Sequence, residues 1–283
     1  MFLDPGCQKA GDRMDFSLIS VLVLALTGSA IGFASGFFGV GGGFLMVPVQ
    51  YWLLTGLGVD PTLSLRIAFG TSLAVIVPTA LSGTWGHHCR HCVLVRPLAL
   101  MAVPGIMGTV AGAAIATHAP GRLMECLFGV LLLIAAVLML FSPVPSGEST
   151  IRKPPLLYLF WGGMFGFVSG LFGIGGGLVM IPVMTTILGI PLRQAIGTST
   201  AFMLCSSVTG VVSYIAGGIR VPGLPPFSLG YVNVMFWAIL SLASVPFALL
   251  GVRAAHTVHP AKIRLFFILL MAGVGGSMII SGA

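Results

Sequence analysis

A chain of 283 residues that is 57% hydrophobic and only 7% charged, with a mean hydropathy of +1.09, holds more apolar surface than a soluble domain can bury. Its net charge of +7 would suit nucleic acid in a soluble protein, but the 13 Lys and Arg stand singly between apolar stretches, as orientation signals do. Nucleic acid is thereby excluded as a partner, and the lipid bilayer becomes the expected one.

Apolar runs predict helices over 16–36, 44–58, 64–86, 94–117 and 121–142, then over 156–171, 177–190, 192–217, 231–255 and 261–281. A span needs roughly 20 apolar residues, which gives about eight to ten transmembrane segments. The stretch SPVPSGESTIRKPP is rich in Pro, Ser and charge, so 143–155 reads as a linker between a first transmembrane repeat at 1–142 and a second at 156–283. The first run has the small residues Gly28, Ser29 and Ala30 of a weak signal-cleavage site. Its glycine spacing recurs inside the chain, however, where no signal peptide can be.

That recurrence is the strongest pattern in the sequence. Gly28, Gly32 and Gly36 are echoed by Gly162, Gly166 and Gly170, and GFASGFFGVGGGFLMVPV from Gly32 matches GFVSGLFGIGGGLVMIPV from Gly166 at 12 of 18 positions. Downstream, LRIAFGTS at Leu65 is answered by LRQAIGTS at Leu192. The expected fold is an all-α polytopic membrane protein of two homologous halves with glycine-broken helices. Five spans per half would turn the second half upside down, an inverted repeat, whereas re-entrant glycine loops with four spans per half would leave the repeats parallel.

Three successive glycines, Gly41 to Gly43 and Gly175 to Gly177, cost about 1 kcal/mol each relative to alanine in a helix, so the helix should break there. Freed backbone groups cannot face lipid and must be buried in protein or line a cavity. The helix that restarts after each break presents N–H groups with partial positive charge, a site for an anion. Candidate substrate-binding residues are therefore Gly39, Gly41, Gly42, Gly43 and Pro48, with Gly173, Gly175, Gly176, Gly177 and Pro182. Thr71, Ser72, Thr198 and Ser199 add hydroxyls that can meet oxyanion oxygens, although hydroxyls in membrane helices commonly bond back to their own backbone. Arg66 and Arg193 are possible counter-charges or snorkelling anchors; about 100° per residue points Arg66 roughly 140° away from Thr71. The upstream small-residue ladders let helices approach closely.

Other features carry less. Asp4, Asp12, Asp15, Asp60 and Glu148 fall in a terminus or a loop and Glu125 is the exception, so deep carboxylates are not expected. Five cysteines without framework spacing argue against a disulfide scaffold. HHCRHC, His87 to Cys92, has Cys-x-x-Cys spacing but no second cluster to close a metal site, so no metal and no cofactor are expected. Gly39, Gly41 and Gly42 mimic part of a dinucleotide fingerprint that Phe44 breaks.

The paired GF-x-SG-x-FG-x-GGG-x-x-M-x-P-V motifs, each followed by LR-x-A-x-GTS, resemble the TauE/SafE sulfite exporter family of bacterial membrane permeases. The resemblance implies a multi-pass transporter of the cytoplasmic membrane, not an enzyme, for sulfite, organosulfonates or related small anions. It marks the two glycine motifs and their prolines as lining residues. Alternating access by rocking of one half against the other is the expected mechanism, with export the expected direction and a homo-oligomer possible. The alternatives are an anion channel, or a membrane-embedded sulfur or metal enzyme built on the His87 to Cys92 loop.

Overall fold

The computed structural model describes residues 18–38, 41–141, 154–255 and 261–282. They form helices α1 (Leu18–Phe38), α2 (Gly43–Gly56), α3 (Pro61–His88), α4 (Val95–His118) and α5 (Gly121–Phe141), then α6 (Pro155–Phe172), α7 (Gly177–Thr186) and α8 (Leu192–Gly218). A two-stranded antiparallel ribbon, β1 (Ser228–Leu229) and β2 (Val232–Asn233), precedes α9 (Val234–Ala255) and α10 (Ala261–Gly282). Every helix expected from the apolar pattern is present within a few residues. The ribbon was not expected, and nearly all of the expected linker lies outside the described residues.

Seven of these helices, α1, α3, α4, α5, α6, α8 and α9, are long and apolar enough to cross a membrane. The 14 residues of α2 and the 10 of α7 are not. At 1.5 Å per residue they reach about 21 and 15 Å, against a hydrocarbon thickness of about 30 Å. Both are half-helices, each with a proline, Pro48 or Pro182, in its interior. By contrast α3 starts in the ordinary way, with Pro61 in its first turn and the Asp60 side chain accepting from the Leu63 N–H at 3.1 Å.

The small-residue ladders are helix contacts. Along α1, Gly28, Gly32 and Gly36 meet Leu240, Ser244 and Ala248 of α9 in the same order, so the two helices run parallel. Along α6, Gly162, Gly166 and Gly170 meet Met101, Gly105 and Thr109 of α4 in the same way. A Cβ on Gly32 or Gly166 would run into the facing backbone carbonyl, of Ser244 or Gly105, so each backbone lies directly against its neighbour.

Exchanging α1–α5 for α6–α10 maps each of these helix pairs onto the other. The central helices α3 and α8 pair with one another: Gly70 lies by Tyr214, Gly210 by Leu73 and Gly83 by Thr200, an antiparallel order. Likewise α5 opposes α10, with Gly129 beside Ile279 and Leu132 beside Gly275. Helices in corresponding places therefore run in opposite directions, as an inverted repeat requires. The parallel arrangement that four spans per half would give is excluded by the same contacts. Since α2 ends in a short turn into α3, and α7 in one into α8, the two half-helices leave the centre toward opposite faces.

Replacing Gly166 with Ala should destabilise the protein by about 1–3 kcal/mol, the cost of overpacking a tight contact. Gly273→Ala on α10, which would meet nothing within 4 Å, should be neutral or slightly stabilising. Thermal unfolding of the two variants in detergent checks the difference.

Candidate functional site at the crossing of two broken helices

The two glycine breaks touch. A Cβ on Gly43 would lie 2.6 Å from Ile174 Cα and 2.8 Å from the Gly173 carbonyl oxygen, and one on Gly41 would lie 3.1 Å from the Ile174 carbonyl oxygen. The N-caps of α2 and α7 are Gly42 (φ 69°) and Gly176 (φ 81°), left-handed conformations that any residue with a Cβ would find strained. Neither N-terminus receives a side-chain cap. Two helix N-termini with their partial positive charge thus converge on one place, facing opposite ways.

That place is at mid-depth. Gly175 packs on Ile76 and Met203, near the centres of α3 and α8, and Gly41 packs on the Met203 sulfur at 2.6 Å from its would-be Cβ. Ser72 donates to the Gly173 carbonyl at 2.7 Å and Ser206 to the Gly175 carbonyl at 3.3 Å. These bonds satisfy carbonyls that the broken helix releases, which hydrocarbon would not tolerate. Gly41, Gly42 and Gly43, like Gly173, Gly175, Gly176 and Gly177, are all buried. Gly39 lies outside the described residues. Pro48 is buried in α2 and Pro182 half-buried in α7.

The LR-x-A-x-GTS segments lie beside the crossing, in the first turns of α3 and α8. Thr71 accepts the Asn233 N–H at 2.9 Å and Thr198 accepts the Leu94 N–H at 3.0 Å. Each threonine therefore ties down the entry to the next helix, α9 or α4, in equivalent fashion. Ser199 donates to the Ile196 carbonyl at 2.9 Å within its own helix. The arginines part company. Arg193 is exposed, whereas Arg66 is half-buried, donating to the Tyr231 hydroxyl at 3.3 Å and the Ala119 carbonyl at 3.1 Å with its Cζ 5.9 Å from the Tyr231 ring centroid. Arg66 and Thr71 leave α3 in different directions, yet both reach the Tyr231 to Asn233 segment because the ribbon wraps the helix.

The sequence profile of the sulfite exporter TauE/SafE family matches residues 22–278. The chain belongs to the sulfite exporter TauE/SafE family. A probable membrane transporter protein of Haemophilus influenzae is 30% identical over 91% of this chain and 97% of its own length. One from Methanocaldococcus jannaschii is 23% identical over 95% and 99%, and one from Bacillus subtilis 28% identical over 71% and 80%. No solved structure matches. With its apolar helices, membership of the TauE/SafE family makes the chain a multi-pass membrane transporter.

Several residues of this TauE/SafE crossing give no signal in sequence. Ile76, Met203 and Ser206 look like ordinary helix positions, and only the repeat offset hints that Ile76 and Met203 are counterparts. Gln50 is fully buried with neither amide atom hydrogen-bonded, and lies two turns along α2 from Gly43, on the same face to within about 20°. Glu125, the one acid that the sequence sets in an apolar run, is the fifth residue of α5 and only 4% exposed, with the Tyr51 hydroxyl of α2 donating to it. In the His and Cys loop, His87 and Cys92 are buried and His88, Cys89 and His91 point outward. Among the described residues no three His, Cys, Asp or Glu side chains gather as a metal would require.

Thr71→Val leaves the buried Asn233 N–H unpaired and should cost about 1–3 kcal/mol, with Thr198→Val costing less because the Leu94 N–H is only half-buried. Urea or thermal unfolding of both variants measures it, and the larger loss is expected for Thr71→Val.

Proposed function

We propose that the chain is a secondary transporter that exports a small anion, sulfite or an organosulfonate, across the cytoplasmic membrane by alternating access. The observation that carries this reading is the contact at mid-depth between two uncapped helix N-termini that point in from opposite halves. Such a place attracts an anion without placing a fixed charge at the centre, and a resident lysine or arginine there would hold the anion too tightly to release it. Family membership supports sulfur oxyanions as the substrate class and transport, rather than catalysis, as the activity.

The residues divide the work. Arg66, half-buried and with a buried Nε that makes no hydrogen bond, is the cation set among the helices on the face where α3 begins. Ser72 lies six residues further along α3, about 9 Å deeper, with its hydroxyl on the Gly173 carbonyl. Thr71, Thr198 and Ser199 follow the same logic, holding the surrounding backbone while N–H groups of Gly43 and Gly177 face the substrate. Ile76 and Met203 close the crossing with apolar side chains, so passage requires α1–α2 and α6–α7 to move relative to α3 and α8. The small-residue contacts favour such sliding, since flat backbone surfaces interlock less than large side chains. An inside-negative potential drives an anion outward by about 2.3 kcal/mol per charge per 100 mV, which suits export.

Purified protein exposed to sulfite, sulfate, thiosulfate, taurine, sulfoacetate and simple carboxylates should be stabilised against heat by one sulfur oxyanion. Arg66→Gln should weaken that anion's binding roughly 10- to 100-fold, the equivalent of losing one hydrogen bond to a charged group at about 1.5–3 kcal/mol. Arg193→Gln should leave it unchanged. If folded protein responds to none of these anions, the anion reading fails.

A further inference from the structure

Beneath the crossing the two halves of the chain differ in chemistry, and the difference centres on Glu125. Its Oε2 accepts from the Tyr51 hydroxyl at 3.2 Å, while its Oε1 is buried with no hydrogen-bond partner. Gln50, next to Tyr51, is also buried and unpaired at both amide atoms. At the repeat offset of the glycine motif the second half has Met184 and Thr185 in these places, and aligning Pro120 with Pro260 sets Leu265 against Glu125. The first half therefore has a carboxyl, a phenol and an amide where the sequence of the second has a leucine, a hydroxyl and a thioether.

Among the described residues, the groups around Glu125 supply no compensating cation. From α2 the facing titratable group is Tyr51, and from the α2–α3 turn it is Asp60, which is also acidic. On α3, Arg66 is engaged with Tyr231 and with Ala119 in the turn ahead of α5. On α5 itself Arg122 is exposed and Cys126 half-buried. Helix α7 has no ionisable residue. Lys262 and Arg264 of α10 lie in its first turn, which the antiparallel pairing with α5 sets at the far end from Glu125. An ionisable side chain inside a membrane segment is costly, and the use that recurs for one without a cation partner is to carry a proton.

We propose that Glu125 is the proton-carrying residue of the transport cycle, holding a proton on its free carboxyl oxygen in the closed form and releasing it when α2 moves away and lets water solvate the carboxylate. The step is a simple ionisation, the carboxylic acid giving a carboxylate and a proton to the aqueous face at which α3 begins. This rests on the reading of the chain as an anion transporter and adds the coupling ion: one proton crosses with each anion, so divalent sulfite keeps one charge for the membrane potential to drive outward, whereas a monovalent organosulfonate moves without net charge, its direction set by the anion and proton gradients. The second half, with Leu265 in the corresponding place, has no such group, so Glu125 alone carries the proton, taking it up while the crossing is open to the opposite face and giving it to the face at which α3 begins.

Two measurements test it. Infrared difference spectra of anion-free protein across a pH step should show the carbonyl band of a protonated carboxyl that is absent in Glu125→Gln and shifted in Tyr51→Phe, where the donor is removed. A wild-type spectrum without the band, or a band that survives in Glu125→Gln, overturns the proposal. In liposomes with a clamped potential and an internal pH dye, a gradient of isethionate, an organosulfonate whose acid group does not titrate near neutrality, should move protons with the anion. In Glu125→Gln the proton movement should vanish and any remaining anion flux should lose its pH dependence. Anion flux with no proton movement in the wild type overturns the coupling and leaves anion transport standing. If no isethionate moves at all, transport of organosulfonates fails by itself, and the infrared band still decides the state of Glu125.

Discussion

Everything in this molecule follows from the need to break a helix inside a membrane and leave no backbone group facing lipid. Hydrocarbon offers no hydrogen bonds, and an unpaired carbonyl or N–H there costs several kcal/mol. The chain meets the constraint by bringing two breaks together, so that Gly43 packs on Ile174 and the released carbonyls of Gly173 and Gly175 receive the hydroxyls of Ser72 and Ser206. Such closeness requires glycine on both sides. It also requires neighbours that can come equally near, which is the role of the Gly28, Gly32, Gly36 and Gly162, Gly166, Gly170 ladders. Packing and function are thus inseparable here: the ladders hold the helices whose ends make the site.

Two halves in opposite orientation give such a site its other property. When α1–α5 and α6–α10 exchange places the contacts are preserved in kind, so a conformation opened to one face has a counterpart opened to the other with similar contacts. A transporter needs two states of comparable free energy, since a gap of several kcal/mol would leave it idle in one of them. Near-symmetry supplies this without tuning each contact. The tie between Thr71 and Asn233, matched by that between Thr198 and Leu94, is the clearest instance.

Much of the fold was legible because its causes are local and repeated. Runs of apolar residues announce helices, triple glycines announce breaks, and two copies at a fixed offset announce duplication. The opposite directions of α3 and α8 were one of two readings until the contacts of Gly70, Gly83 and Gly210 decided between them. The ribbon at Ser228 to Asn233 escaped notice because four residues in strand pairing leave no periodicity to read. At the crossing, the glycine breaks were legible from the repeated triplets. Ser206, Met203 and Gln50 were not, because their importance comes from which helix crosses them, and that information is tertiary. Glu125 was visible as the one acid outside a terminus or loop, but its partner Tyr51 lies 74 positions away, which no local pattern shows.

The departures from symmetry make the two faces unequal, while the gradients set the net direction. A perfectly two-fold transporter would run equally well either way, with only the gradients to choose. This chain has a half-buried Arg66 on one face and an exposed Arg193 on the other, and a buried Glu125 answered by Leu265. An anion entering from the face where α3 begins meets a cation held in place by Tyr231 and Ala119; from the opposite face it meets an arginine free in solvent, where water weakens the attraction by roughly the ratio of dielectric constants. The polar residues on the first path also make the descent of α2 easier to hydrate than that of α7, which is lined by Met180, Val183 and Met184. Hydration of one path and dryness of the other make the two open states unequal in kind even where their helix contacts are alike. That inequality, rather than the glycine crossing itself, is what can give the two faces different affinities and rates.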